Sequence, residues 1–182
     1  MRWLFGRRKG ERPAPKVKWL DGYTGQSTDE LIRLEGDYRL DSLVLAFEGA
    51  LQRKADQDGL DSLSKPERVV LAVEAVEREV NNGGYDQLFR NSSKELTPYF
   101  EESLAAIGRP EVSSITGRAI KALGLHGDVS VDAIDLAMDR DDERRDANLE
   151  DCDTAYFDSA GDLAGPLFAF IKTNRDSITL TS

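Results

Sequence analysis

Apolar residues recur at intervals of three and four along most of the chain, which predicts amphipathic helices. A first helix begins at STDE, residues 27–30, where Ser27 can cap the helix while Glu30 reaches back in a capping box. A second helix is expected over residues 40–56. A third begins at SKPE, residues 64–67, which is another capping box with Pro66 in the first turn.

The same spacing continues through the second half of the chain. Thr97 and Pro98 predict the N-cap and first residue of a helix that ends at Gly108, and Pro110 opens another that ends at Gly124. Further helices are expected at residues 131–138, 149–157 and 163–171. No alternating pattern competes with these periods. The prediction is an all-α fold, a compact single-domain bundle of about seven to nine helices with little or no β-structure.

The stretch EVNNGGYDQLFRN, residues 79–91, interrupts the third helical pattern. Two adjacent glycines can supply positive φ and let two backbones approach, and the asparagines before them can bond helix carbonyls. The amides of Gln87 and Asn91 suit backbone groups where a chain reverses. The residues interpreted as this structural junction are Glu79, Asn82, Gly83, Gly84, Tyr85, Gln87 and Asn91.

Catalysis by this stretch is the alternative, because Glu77, Glu79 and Asp86 could share general acid and base roles in a pocket. The chain has no nucleophile–base pair, no metal-ligand spacing and no glycine-rich phosphate loop beside it. We therefore expect no catalytic residues, no metal and no cofactor. An open, carboxylate-lined pocket at the bend would revive the catalytic hypothesis.

The charge is distributed unevenly along the 182 residues, whose net charge is −10. Residues 1–18 hold seven basic groups against Glu11, while the remainder holds 17 basic and 33 acidic residues, a balance of −16. Such a body repels nucleic acid and membrane surfaces and attracts basic partners. We expect a basic tail at 1–18, a single helical domain at 19–176 and a C-terminal tail at 177–182. Trp3 and Phe5 leave a weak membrane or nucleic-acid contact as an alternative for the basic tail, which is otherwise expected to be disordered.

Cysteine and histidine each occur once, as Cys152 and His126. One cysteine excludes an internal disulfide and fits a reducing compartment, so the expected location is cytoplasmic. Cys152 lies between Asp151 and Asp153, which disfavour its thiolate, and His126 falls in a predicted turn.

Acidic residues dominate the segment from residue 128 to 158, with twelve carboxylates against three arginines. On a helix, residues spaced by three and four form one face, about 5 Å apart along the axis. Phosphates of one DNA strand repeat about every 3.4 Å, so such a row resembles a phosphate row to a basic surface. The predicted carboxylate stripe consists of Asp128, Asp132, Asp135, Asp139, Asp142, Glu143, Asp146, Glu150 and Asp153.

A plain solvated helix face is the alternative interpretation of the stripe. Arg145 could pair with Asp141 or Asp142, and Arg140 with Glu143, which would weaken the field. The stretch DRDDERRD, residues 139–146, contains no apolar residue and is not expected to pack against a core. If this stretch links two helices, the stripe is divided.

Several segments together resemble a known family. They are SKPER at 64–68, VEREVNNGGYDQ at 76–87, F-x-N at 89–91, AAIG at 105–108 and the pair YF at 156–157. Over residues 28–175 the chain resembles a bacterial DNA-mimic-protein-like family, a small all-helical domain with an E-V-x-N-G-G-aromatic-x-Q motif. The resemblance implies an acidic dimer that occupies the DNA-binding surface of a transcription factor. The shared motif is the junction rather than the carboxylates, and the basic tail departs from a mimic.

Two functional hypotheses follow besides catalysis. The first is a non-catalytic acidic protein that binds a basic DNA-binding protein, such as a transcription factor, through the carboxylate stripe, with a homodimer as the assembly that the resemblance implies. The second is an interaction or immunity-type module that neutralises a protein partner without DNA mimicry, through a surface beside Tyr85 and Asn91. The first predicts a steep salt dependence of binding and the second a modest one.

Overall fold

The computed structural model describes residues 17–125, 127 and 129–180. Eight α-helices lie in this part of the chain, together with three short 3₁₀ helices and no strand, so the predicted all-α class is confirmed. The α-helices are α1 Thr28–Arg33, α2 Leu40–Asp58, α3 Lys65–Arg90, α4 Phe100–Ala106, α5 Pro110–Ala122, α6 Val131–Met138, α7 Glu143–Ser159 and α8 Ala164–Thr173. None of the described helices combines the length and apolarity that a bilayer crossing requires.

The helix α3 is the centre of the bundle, and α2, α4, α6, α7 and α8 all pack against it. Its residues from Val69 to Val76 are buried without interruption, so the helix is surrounded on every side over two turns. The two predicted capping boxes are present, at Ser27 with Glu30 and at Ser64 with Glu67. A second layer forms where α5 packs on α4 and α7.

The prediction of an N-cap at Thr97 is wrong. Thr97 and Pro98 lie inside a 3₁₀ helix, Ser92–Tyr99, and α4 begins only at Phe100. The Thr97 hydroxyl donates to the carbonyl of Lys94 (2.6 Å) within its own turn instead of capping the following helix. A threonine hydroxyl that donates to a carbonyl earlier in the chain forms this local hydrogen bond in place of an N-cap.

Both ends of the described chain are tied to the domain. The Lys18 amide donates to the Asp37 carbonyl (2.9 Å) near the start. At the other end Ile178 is buried, and the Thr179 amide donates to Glu67 (2.8 Å), whose carboxylate also accepts Lys54 (2.9 Å). The packed fold therefore runs past residue 176, where sequence reasoning placed its boundary. Residues 1–16 lie outside the described part.

Candidate functional site

The Asn-Gly-Gly stretch bends α3 near its C-terminal end. Gly83 (φ −166°, ψ 24°) and Gly84 (φ 72°, ψ −173°) are non-helical, and helix resumes through Arg90. The side chain of Asn81 donates to the carbonyl of Glu77 (2.7 Å), one turn back in the helix before the bend. The bend thus lies at the glycines where sequence analysis placed it.

Position 84 requires glycine for a second reason besides its positive φ, because α7 approaches the backbone closely there. The Asp153 carboxylate accepts the Tyr85 amide (2.7 Å). A Cβ atom on Gly84 would lie 2.3 Å from Asp153 Oδ2, closer than any real contact allows. A side chain at residue 84 would therefore displace the carboxylate that fastens α7 to the bend.

The carboxylate of Glu79 gathers the polar side chains that follow the bend. It accepts hydrogen bonds from Gln87 (2.9 Å), Asn91 (2.8 Å) and Ser93 (2.8 Å), and Arg78 lies 3.4 Å away. Sequence analysis assigned the Gln87 and Asn91 amides to backbone groups, whereas they serve this side chain. Burial opposes the charged form, but the hydrogen bonds prevail and lower the pKa of Glu79.

Tyr85 belongs to the core and not to a surface. It is fully buried, its hydroxyl lies 2.8 Å from that of Thr116, and its ring meets Tyr156 edge-on at 6.2 Å between centroids. Burial raises the pKa of its hydroxyl. A partner surface beside Tyr85 cannot include this side chain, although Asn91 is exposed.

The three carboxylates of the catalytic hypothesis do not converge. Glu79 is occupied by the donors described above, and Asp86 pairs with Arg90 (2.9 Å) at the surface. Glu77 lines a groove beside the bend, with Trp19, Asn81 and residues of α2, but neither Glu79 nor Asp86 lines this groove with it. Within the described ranges, no group of three or more histidine, cysteine or acidic residues could hold a metal ion.

The predicted carboxylate stripe is divided between two helices. The helix α6 ends at Met138 and α7 begins at Glu143, with residues 139–142 between them. Two stripe members, Asp135 and Asp153, are half-buried, and Asp128 lies outside the described residues. The exposed members are Asp132, Asp139, Asp142, Glu143, Asp146 and Glu150, and Asp141 and Asp151 add two more exposed carboxylates.

Some of these carboxylates have partners within the fold. Asp135 pairs with Lys94, and Asp142 caps α7 by accepting the amides of Arg144 (3.1 Å) and Arg145 (3.0 Å). Asp146 accepts the Arg145 guanidinium (2.6 Å). In the described part of the chain, four stripe members have neither an ion pair nor a side-chain hydrogen bond, namely Asp132, Asp139, Glu143 and Glu150, whereas Asp153 accepts the Tyr85 amide.

Arg145 is only 4% exposed, which corrects the expectation that DRDDERRD has no contact with the core. Its guanidinium donates to the carbonyl of Arg140 (2.9 Å) and to that of Ala137, so it holds the end of α6 against the start of α7. Its ion pair is with Asp146 and not with Asp141 or Asp142. One of the three arginines is thus withdrawn from the acidic surface.

The bend and the acidic surface are neighbours. Arg90 donates to the Met138 carbonyl (3.3 Å) at the end of α6. The pKa of Arg90 is raised, mainly by its hydrogen bonds to Asp86 and further by the charges of Asp139 and Asp146, while burial opposes the shift. The sequence does not predict this contact, because Arg90 and Met138 are 48 positions apart.

Cys152 is buried on α7, and the pKa of its thiol is raised by burial and by Asp153 and Asp151, while Arg118 acts in the opposite direction. The expected poor reactivity agrees with this environment. His126 lies outside the described residues.

A protein-family model described as DMP19-like protein matches residues 61–174. The matched segment contains α3 to α8, and with them the bend and the acidic surface. The comparisons with curated proteins and with solved structures found no match.

Proposed function

The chain belongs to the DMP19-like protein family, and on that premise we propose that it is a non-catalytic acidic protein that binds a basic DNA-binding protein. The contact surface is formed by α6, the residues 139–142 and the first half of α7. A homodimer is the assembly that the family resemblance implies, and it is part of the proposal.

The observation that carries the proposal is the exposure of carboxylates that have no cation of their own. Asp139, Glu143 and Glu150 are exposed and form no ion pair within the described residues. On α7 the spacing of Glu143, Asp146 and Glu150 places successive carboxylates about 5 Å apart along the axis. An arginine- and lysine-rich surface that binds phosphates can bind such a row by the same charge-assisted contacts.

The division of the stripe changes the shape that a partner meets. Two short acidic segments, α6 and the start of α7, meet at a turn in place of one straight face. A partner that follows both segments must therefore contact carboxylates of two helices and of the residues between them, rather than one straight helix face.

The proposal is tested by capturing binding proteins on the immobilised chain and eluting them with a salt gradient. The bound protein is then identified, and its affinity is measured across salt concentrations with and without duplex DNA as competitor. Binding that weakens steeply with salt and is displaced by duplex DNA is the expected result.

A charge-matched pair of variants separates the surface from the overall charge. The surface variant carries Asp139→Asn, Asp141→Asn and Glu150→Gln, which leaves the Asp142 cap and the Arg145–Asp146 pair intact. The control carries Asp58→Asn, Asp61→Asn and Glu95→Gln, three exposed positions whose side chains form no hydrogen bond or ion pair in the described fold. The surface variant should lose affinity and the control should not. Equal affinities contradict the proposal.

The interaction or immunity-type module without DNA mimicry is favoured by a different observation. Leu136 on α6 and Phe157 on α7 are each 59% exposed, so each offers apolar surface that a partner can bury. A partner that buries them would bind with little salt dependence. A flat salt response together with loss of binding on Leu136→Ser supports this alternative.

A further inference from the structure

A groove of about 280 Å³ lies between α2 and α3, away from the carboxylate stripe. Its apolar part includes Trp19 and Leu45, which are 49% and 41% exposed. Its polar part comes from one face of α3, where successive turns present Glu74, Glu77 and Asn81. Asp41, Arg78 and Asn82 add further polar groups to the lining.

Glu74 is the unusual residue of this groove. It is 4% exposed, and its Oε1 has no hydrogen-bond partner among the described residues. An unpaired carboxyl oxygen inside a protein costs free energy, about 1–3 kcal/mol or more. The fold therefore holds a buried acceptor that faces a groove and that nothing within the described chain satisfies.

The two arginines beside this groove are directed elsewhere. Arg78 also lines the groove, but its guanidinium bonds Glu48, Glu79 and Ser93. Arg39 pairs with Asp41, which neutralises that carboxylate. Glu77 is half-buried and has no ion pair in the described structure, so Glu74 and Glu77 remain as two carboxyl groups without a cation.

We propose that this groove binds a guanidinium group, which Glu74 and Glu77 receive at the polar end while the apolar stem lies against Trp19 and Leu45. The site suits a guanidinium group better than an ammonium ion. The planar fork of a guanidinium can donate to two carboxylates one helical turn apart, and a guanidinium is less strongly hydrated, so its burial costs less. Trp19 already supports one such group, since the Arg39 guanidinium lies 5.5 Å from the ring centroid.

The protonation of Glu74 gives the site a second measurable property. Burial, followed by the charges of Glu77 and Glu48, raises the pKa of Glu74 to about 8, with Arg78 opposing and Asp41 adding to the rise. Tyr156 of α7 and Asp162 before α8 also face this pair of glutamates. At pH 7 the empty site holds a proton on Glu74, and a bound cation expels it.

Two sources could supply the guanidinium group. One is a free small molecule, and the other is the chain's own basic segment, which contains Arg7, Arg8 and Arg12. Arg12 precedes Trp19 by seven residues, and seven residues of extended chain reach at most about 24 Å. The charge of this segment complements the groove, and the test includes a variant that separates the two sources.

The test titrates n-butylguanidinium and its neutral isostere n-butylurea into the full chain and follows the indole resonance of Trp19. Only the guanidinium probe should shift this resonance in a saturable manner. Calorimetry in buffers of different ionisation enthalpy should record the release of about one proton at pH 7. Glu74→Gln should weaken binding by at least about tenfold and abolish the proton release.

The matched control is Glu111→Gln, which makes the same side-chain replacement at an exposed position on α5 and should bind like the parent. Glu77→Gln is the second variant, and it should weaken the affinity while keeping the proton release. Equal responses to both probes, or full affinity in Glu74→Gln, overturn the proposal. A third variant carries Arg7→Gln, Arg8→Gln and Arg12→Gln. If this variant binds the probe more tightly than the parent, the natural guanidinium belongs to the chain itself. If its affinity is unchanged, the guanidinium belongs to an external molecule.

Discussion

Glu74 and Glu79 lie five residues apart on α3 and are both almost fully buried, yet their surroundings are opposite. Glu79 accepts three side-chain hydrogen bonds and lies beside Arg78. Glu74 has an oxygen with no partner in the described fold. The pKa of Glu79 is lowered, whereas that of Glu74 is raised to about 8.

The bend explains this difference. After Gly84 the chain turns so that Gln87, Asn91 and the following 3₁₀ helix bring their donors back to Glu79. Among the described residues, no element returns in this way to Glu74, which lines the groove beside α2. The bend thus satisfies one buried glutamate as part of the fold, and the other is left for a ligand.

The largest effect on the free energy of unfolding is expected at Glu79. Glu79→Ala leaves Arg78, Gln87, Asn91 and Ser93 without their common acceptor, and we expect a loss of about 3–5 kcal/mol in the free energy of unfolding. Urea denaturation followed by circular dichroism measures it, with Glu95→Ala at an exposed position as the control. A loss below about 1 kcal/mol would show that the network is not structural.

The second prediction concerns the pH dependence of stability at Glu74. Its carboxyl ionises near pH 8 when folded and near 4.5 when unfolded, so between these values the folded chain holds a proton that the unfolded chain has lost. The free energy of unfolding therefore falls as pH rises, by up to about 1.4 kcal/mol per unit. Glu74→Gln should remove this slope and be more stable than the parent by about 3 kcal/mol near pH 7.

Denaturation curves for the parent and Glu74→Gln across this pH range give the result directly. A stability difference that stays constant with pH would mean that Glu74 has a solvent-like environment. The contribution of Glu79 has the opposite sign, because its lowered pKa stabilises the fold above about 4.5 and that stability is lost as pH falls.

A pair of glycines isolates the contact that the bend makes with α7. Gly84 and Gly108 both have positive φ, 72° and 77°, but only at Gly84 would a Cβ meet a neighbour, Asp153. Gly108→Ala should cost about 1 kcal/mol through backbone strain. Gly84→Ala should cost about 2 kcal/mol more, because its ψ of −173° adds backbone strain and because it also breaks the charged hydrogen bond from the Tyr85 amide. Equal losses in the two variants would remove the role given to Asp153.

The smallest effect is expected at Asp86, beyond the bend on the same helix. Its carboxylate pairs with Arg90, four residues on, and both side chains are about half exposed. Water screens such a pair, so Asp86→Asn should change stability by at most about 0.5 kcal/mol. A change as large as that at Glu79 would mean that exposure does not separate the carboxylates as we argue.

Most helices and both capping boxes could be predicted from the sequence, because these signals are local. The bend at Gly83 and Gly84 was predicted for the same reason. The hydrogen-bond partners of the Gln87 and Asn91 amides could not be predicted, because they depend on how the folded chain returns to Glu79. At Thr97, two local hydrogen bonds competed and the sequence did not decide between them.

Glu74 escaped sequence analysis because periodicity assigned α3 a single apolar face. The helix is buried all round from Val69 to Val76, and this stretch contains one polar residue, Glu74. A lone glutamate in an apolar run was therefore a usable signal. The division of the stripe was left open by sequence reasoning, because DRDDERRD contains neither an apolar period nor a glycine or proline.

The bond between the Tyr85 amide and Asp153 joins residues 68 positions apart, which has a consequence for folding kinetics. The segment of α3 before the bend can form from local contacts, while the direction of the segment after it is fixed only when α7 arrives. Loops of this length close late in a folding reaction relative to helix formation. In a φ-value measurement, substitutions in the first half of α3 should slow folding, whereas Asp153→Asn should mainly accelerate unfolding. The glycine pair thus makes the bend a late, long-range event in an otherwise locally folding helical protein.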